Sequence, residues 1–304
     1  MNGAIEADLE LKFRQAVDRL HAPPIKKLGL IGPTRFIARQ YARIFGTEIE
    51  CRADLFFGRT MTVVLPEIIS QQIYTYGLFD EVVTGMVLRA VRHEDVVLDI
   101  GAHFGYFTLL FAHVVGESGR VVSFEPTPST FSVLKRNTAD VKQVSALNAA
   151  AGRQSGRLMI SDFGLTYSAW NTLSGSSRMP GVLAEPNARV EVEVIRLDDW
   201  CKRQSIRPTV VKIDAENFES EVIAGLKTSL ETFRPHVLME TGSEEAVAAG
   251  GTLCGMGYKV FVSERPGDLS QVTKRIEGAL ARSKDVLFVH ADSIRSFLSP
   301  GQYE

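Results

Sequence analysis

Cysteine is scarce in this chain of 304 residues. There are three, Cys51, Cys201 and Cys254, odd in number and far apart. No C-x-x-C pair and no Cys/His cluster at metal-ligand spacing occurs, which excludes a disulfide framework or a structural zinc site as the basis of the fold. Excess charge is lacking too, with 34 Lys and Arg against 36 Asp and Glu and a formal net charge of −2. No purely basic run exceeds two residues, as at Lys26-Lys27, so the electrostatic footprint of a nucleic-acid binder is missing. The strongest apolar stretch, Tyr106 to Val115, is broken by His113 and is about half the ~20 residues a membrane span needs. The opening MNGAIEADLELKFRQAVDRL has early acids and no apolar segment of a secretion signal, so a reducing cytoplasm is the expected compartment. Internal repeats and low-complexity tracts are absent.

What is present is an ordinary globular composition, 45% hydrophobic and 23% charged, in a chain long enough for one large domain with an appendage. Ile5, Leu9, Phe13, Val17 and Leu20 recur at helical spacing until Pro23-Pro24 stops them. A second helix is expected over 34–45. Two alternating runs, Glu48 to Arg52 and Thr60 to Leu65, flank Gly58 and predict a hairpin, with helices over 67–75 and 78–91. These 1–90 read as an α+β appendage. From Asp95 the pattern changes to short apolar runs separated by helical stretches: Val96 to Ile100, Arg120 to Glu125, Val144 to Asn148, Val210 to Asp214, His236 to Glu240, Lys259 to Val262 and Val286 to His290. Such alternation predicts an α/β fold over 91–304, a doubly wound, Rossmann-like sheet that binds ligands at the carboxyl ends of its strands. Within 151–200, the runs Arg157 to Ser161 and Arg189 to Ile195 surround a Gly/Ser/Pro-rich loop from Ser174 to Asn187, which reads as an inserted β-hairpin and acceptor lid.

The sharpest local signal is VLDIGAHFGYFT, residues 97–108. A strand ends in Asp99, and Gly101 and Gly105 open a helix, letting the backbone turn tightly under a ligand. The dinucleotide fingerprint G-x-G-x-x-G needs glycine where His103 stands. Asp99 would repel a pyrophosphate but pair with an ammonium, which favours a ligand with an amino-acid head such as S-adenosylmethionine. Glu125, twenty residues past Gly105 at the end of the next strand, is placed to accept both ribose hydroxyls of an adenosine; it also suits the N-terminus of the following helix. Asn148 ends the third strand, where the adenine edge would lie.

Together, VLDIGAHFGYFTLL, VVSFEPTPSTFSVLKRN, VIRLDDW, VVKIDAENFESEVIAGL and RPHVLMETG resemble, in order and over residues 60 to 262, the FkbM-type methyltransferases. One departure is Asn217, where many members have glycine. The resemblance implies a class I S-adenosylmethionine-dependent O-methyltransferase acting largely on sugar and polyketide hydroxyls. It implies that Asp99, Gly101, Gly105 and Glu125 bind the cofactor, with His103 in the same loop. Tyr76 and Glu81, in IYTYGLFDE, are expected to close over its methionyl end.

An alcohol is a poor nucleophile, so methyl transfer needs a base or a metal besides alignment. Asp214 and Glu216 are the base candidates, with His103 a further one. Asp214, Glu216 and Glu240 at neighbouring strand ends could hold Mg2+ or another divalent ion. For the acceptor, a small molecule or glycoconjugate, Tyr167, Trp170 and Asn171 in the insert offer stacking rings and an amide. Trp200 is expected to anchor a helix capped by Asp198. The helical front third offers a homodimer interface. Two alternatives stay open at this point: a nicotinamide-dependent oxidoreductase on the same architecture, and a non-catalytic binding protein that retains the fold.

Overall fold

The computed structural model describes residues 2–23, 33–171, 186–266, 268–274 and 276–297. Lys26-Lys27 and most of the expected lid tip, 174–185, lie outside the described residues, as does the side chain of Trp170.

The front third contains helices α1 (Asn2–Leu20) and α2 (Pro33–Phe45), the strands β1 (Ile49–Asp54) and β2 (Thr60–Leu65), and helices α3 (Ile68–Tyr76) and α4 (Glu81–Ala90). β1 and β2 form the expected antiparallel hairpin as a sheet of their own. Next come β3 (Val96–Ile100), α5 (Tyr106–Val115), β4 (Arg120–Phe124), α6 (Pro128–Asn137) and β5 (Val144–Leu147). The insert contributes β6 (Ala150–Ala151), β7 (Gly156–Asp162) and β8 (Ala188–Ile195), with a 3-10 turn over Leu165–Trp170. The alternation then resumes with α7 (Leu197–Gln204), β9 (Val210–Ile213), α8 (Glu219–Gly225), α9 (Lys227–Phe233), β10 (His236–Glu240), α10 (Glu244–Gly255), β11 (Tyr258–Val262), β12 (Ser270–Val272), α11 (Ile276–Arg282) and β13 (Asp285–His290).

Eight strands form the central sheet in the order β12-β11-β13-β10-β9-β3-β4-β5. Strands β5, β4, β3, β9 and β10 run parallel. The order reverses beside β3, which creates the ligand crevice of doubly wound sheets at the carboxyl ends of β3, β4, β9 and β10. The arrangement is the mixed, largely parallel α/β sheet that the alternating pattern predicts. The last strand departs from a simple parallel continuation: β13 inserts antiparallel between β10 and β11. An apolar run carries no direction, so its pattern alone could not show this. The short edge strand β12 and the two-residue β6 were not expected either.

Both faces of the sheet are covered, which is why its strands are nearly continuous apolar runs. One apolar cluster joins Val97, Val121, Val210 and Leu238 to Leu109 and Phe111 of α5 and to Leu9, Phe13, Phe56 and Val63 of the front third. The other joins Leu98, Val122, Val211 and Met239 to Trp200, Val222, Leu230 and Leu253. The front third thus shares a core with one face of the main sheet.

In the insert, β7 pairs antiparallel with β8, which also pairs with β6. Trp200 packs edge-on against Phe124 with centroids 5.5 Å apart. Asp198 does not cap its own helix, whose N-cap is Arg196. Its carboxylate instead accepts the N–H groups of Thr228 and Ser229, both at 2.9 Å, in the first turn of α9.

Candidate active site

Two clefts open at the carboxyl ends of the parallel strands, and Asp214 lines both. The first, of about 700 Å³, is walled by Gly101, His103, Phe124, Glu125, Ala149 to Ala151, Ile160, Ser168, Asn171 and Glu216, among others. The second, of about 400 Å³, is walled by Phe79, Asp80, Phe107, Lys212, Leu238, Glu240, Lys284 and Asp285, among others.

The floor of the first cleft is the glycine turn. Gly101 has φ +77°, and a Cβ on it would stand 1.7 Å from the backbone oxygen of Asp214. Only glycine lets β3 and β9 end this close together. Gly105, with φ +95°, opens α5 with Leu134 packed where a side chain would go. His103 bulges between them at φ 50°. Its backbone N–H donates to Glu125 Oε2 at 3.0 Å, and the N–H of Thr127 donates to Oε1 at 2.9 Å. Glu125 therefore ties the glycine turn to the start of α6, the helix N-terminus its sequence position suits. Burial pushes its carboxyl up to about 7, against the pull of those N–H donors. The His103 ring, whose Nε2 lies 2.7 Å from Ser168 Oγ, is pushed down to about 4 by burial, so it stays neutral near pH 7.

Asp99 is fully buried and lies beneath the turn, lining neither cleft. Thr108 Oγ1 donates to its Oδ2 at 2.6 Å, while Oδ1 has no hydrogen-bond partner. Burial raises its pKa, outweighing the neighbouring Lys212. The ammonium group it faces is thus the protein's own. Asn148 is exposed, and its amide donates to the carbonyls of Glu125 and Pro126, both at 2.9 Å. Tyr76 packs against the core shared with the front third. Glu81 meets His21 Nε2 of the α1 terminus at 2.8 Å. Neither residue lines a cleft.

On the other side, Asp214 Oδ2 accepts from Lys212 Nζ at 3.0 Å, and Lys212 is 5% exposed. Burial alone would raise the Asp214 carboxyl, but Lys212 outweighs it and holds the group below its ordinary value. Glu216 and Glu240 are both pushed up to about 8, first by burial and then by the charge of Asp214. Asp285 is pushed up to about 7 by burial and Asp80. Lys284 Nζ stands 3.8 Å from Glu240 Oε1 and 3.9 Å from Asp80 Oδ2. Asp80, Lys284 and Asp285 are additions to the sequence-predicted set. Nothing in their spacing marks them, because an α4 N-cap and the start of an antiparallel strand meet only in the folded chain.

Asp214, Glu216 and Glu240 do come together, with one oxygen of each within 4.8 Å of the others. A divalent ion there does not fit well: Lys212 already occupies Asp214 and Lys284 flanks Glu240, so two ammonium groups meet the charge a cation would need. In the insert, Asn171 lines the first cleft, but its Oδ1 accepts from Phe163 N at 2.8 Å and its Nδ2 donates to Thr127 at 3.3 Å. Tyr167 is 44% exposed. Asn217, standing where many FkbM-type chains have glycine, has φ 68°, a conformation asparagine tolerates better than most residues.

The methyltransferase FkbM domain matches residues 99–260, over half the chain. The chain belongs to the FkbM methyltransferase family. Methyltransferase 1 of Beauveria bassiana is 28% identical over 196 residues, 57% of this chain and 75% of its own length. The 31-O-demethyl-FK506 methyltransferase FkbM of Streptomyces tacrolimicus is 28% identical over 160 residues, 45% of this chain and 61% of its own length. The hexuronic acid methyltransferase AglP of Haloferax volcanii is 24% identical over 149 residues, covering 48% and 56%. The match therefore spans less than two thirds of the length of the last two relatives.

Proposed function

We propose that this chain transfers a methyl group from S-adenosylmethionine to a hydroxyl oxygen of a sugar, glycoconjugate or related metabolite. The observation that carries the reading is the position of Asp214, shared between a cleft floored by the glycine turn and a second cleft rich in hydrogen-bonding side chains. Names of the Streptomyces and Haloferax relatives specify an O-methyl position and a hexuronic acid, which supports oxygen as the atom modified and a sugar as one class of acceptor. Among the described residues no helix is long and apolar enough to cross a membrane.

The residues of the first cleft fit the cofactor. Glu125 keeps lone pairs free on both oxygens to accept ribose hydroxyls while the backbone N–H groups hold it in place. Phe124, Ala149 to Ala151 and Ile160 give an apolar wall for a purine. Asp99 stiffens the turn from below and Asn148 fixes the Glu125 loop, so both support the site without touching the ligand. S-adenosylmethionine, when bound, supplies a methyl group on a positively charged sulfur. Asp214, kept ionised beside Lys212, takes the hydroxyl proton from an acceptor in the second cleft, and Glu240 shares a hydrogen bond with it. Glu216 holds its own proton near pH 7 and donates from the cofactor side. His103, neutral and engaged with Ser168, ties the insert to the glycine turn. From the front third, Ile69 walls the first cleft and Phe79, Asp80 and Val83 the second, while Ile160, Ser168 and Asn171 of the insert wall the first.

Incubation with radiolabelled S-adenosylmethionine and a panel of sugar nucleotides and free glycosides tests this. Label in an acceptor, lost on Asp214→Asn, is the expected result. A chain that binds S-adenosylhomocysteine but labels no hydroxyl-bearing acceptor overturns the assignment to oxygen.

A further inference from the structure

The carboxylate at the shared wall of the two clefts is exposed enough to swing, yet it is held by the most deeply buried ammonium group near the site. In the parallel ladder Ser123, Asp99, Lys212 and Leu238 are direct register partners on β4, β3, β9 and β10. Register partners in a parallel sheet point to the same face, so these side chains form one row across the sheet, under α5. Thr108 of α5 completes it, lying 2.6 Å from Asp99 and 2.9 Å from Ser123. Lys212 is 5% exposed, lies 5.1 Å from the centre of the Phe107 ring, and donates to Asp214 two residues further along the same face. Asp99 is the fully buried carboxylate on its other side.

We infer that Lys212 is a positioning residue, its ammonium buried in the row beside Asp99 and paired with Asp214, so that it holds the Asp214 carboxylate at the junction of the two clefts. The inference rests on the role given to Asp214 above. Its chemistry is one buried cation in direct contact with Asp214 and in the longer-range field of Asp99. Asp99 is fully buried and held by Thr108 through one oxygen, and the Phe107 ring and closed surroundings confine the lysine stem. Asp214 is the one member of the triad with solvent on it, with a side chain 37% exposed. Without Lys212 the Asp214 carboxylate would lose its only ion pair among the described residues and gain free rotamers, while Asp99 would be left buried without a nearby cation. The cofactor turn and the acceptor-side carboxylate are thus linked through one side chain, a link that neither motif shows by itself.

Calorimetric titration of the full chain with S-adenosylhomocysteine and with sinefungin, in which an amine-bearing carbon replaces the methylated sulfur, tests this without a known acceptor. The amine of sinefungin reaches toward the transfer point, so the unmodified chain should prefer it. Asp214→Asn should weaken sinefungin about tenfold, the worth of one charge-assisted hydrogen bond, and leave S-adenosylhomocysteine within about twofold. Lys212→Met should weaken sinefungin by the same factor, Lys212→Arg should restore most of the loss, and Lys212→Met with Asp214→Asn should be no weaker than either alone. A lysine that only screened Asp214 would give the opposite sign, since its removal would tighten binding of a cation. Unchanged or tighter sinefungin binding in Lys212→Met therefore overturns the inference while leaving the methyltransferase reading intact. Failure of the unmodified chain to bind S-adenosylhomocysteine overturns that reading and the inference with it. If Lys212→Met does not fold, Asp99→Asn with Lys212→Met removes both buried charges together and is judged by the same loss of sinefungin preference.

Discussion

The backbone oxygen of Asp214 occupies the space that a side chain on Gly101 would need, 1.7 Å from an ideal Cβ. Gly101→Ala cannot be accommodated by a rotamer change, because the obstacle is backbone and φ is +77°. We expect a loss of at least ~2 kcal/mol in stability and weakened S-adenosylhomocysteine binding, read by chemical denaturation and calorimetry. Gly156→Ala is the control: nothing lies within 4 Å of its Cβ.

Glu125 makes cofactor binding pH-dependent. Burial raises it from 4.5 to about 7, so in the folded chain it is protonated below pH 7 and ionised above. The protonated acid accepts ribose hydroxyls poorly, and S-adenosylhomocysteine affinity should fall as the pH drops from 8 to 6. The stability effect has the opposite sign. The folded chain binds this proton more tightly than the unfolded chain, so the contribution of Glu125 to stability is largest below pH 4.5 and declines as the pH rises toward 7. Glu125→Gln should abolish the pH dependence of binding and cost about tenfold in affinity at pH 8.

Removal of divalent ions should leave methyl transfer unchanged. Lys212 and Lys284 already balance the acidic trio, so EDTA should alter neither the thermal midpoint nor the rate of labelling. A loss of labelling that Mg2+ restores would place an ion among Asp214, Glu216 and Glu240.

In the insert, Asn171→Ala and Tyr167→Ala should separate. Asn171 is 9% exposed and holds both Phe163 and Thr127, so its loss should cost ~1–2 kcal/mol of stability. Tyr167 is exposed and lines neither cleft, so its loss should leave stability and S-adenosylhomocysteine binding alone.

Much of this arrangement is legible in the amino-acid sequence, for physical reasons. Parallel strands buried on both faces must be apolar runs, so Val96 to Ile100 and Val210 to Ile213 stand out, and acids or glycines past their ends mark the ligand edge. Partnership across strands is another matter. Asp99 reads as a residue waiting for a ligand's ammonium, whereas register pairing delivers Lys212 to it. The cap of Asp198 goes to a helix some thirty residues away, and Glu81 is taken by His21. The direction of β13, and with it the arrival of Lys284 and Asp285 beside Asp80, depends on the folded sheet and leaves no local pattern.

The most direct test is single-turnover transfer of label from S-adenosylmethionine to an acceptor identified from the panel, measured beside S-adenosylhomocysteine binding in the unmodified chain and in Asp214→Asn. Asp214→Asn should bind S-adenosylhomocysteine within about twofold while its transfer rate falls by at least about a hundredfold, as expected when a general base is removed. Equal transfer rates in the two proteins would contradict the placement of the reaction at Asp214.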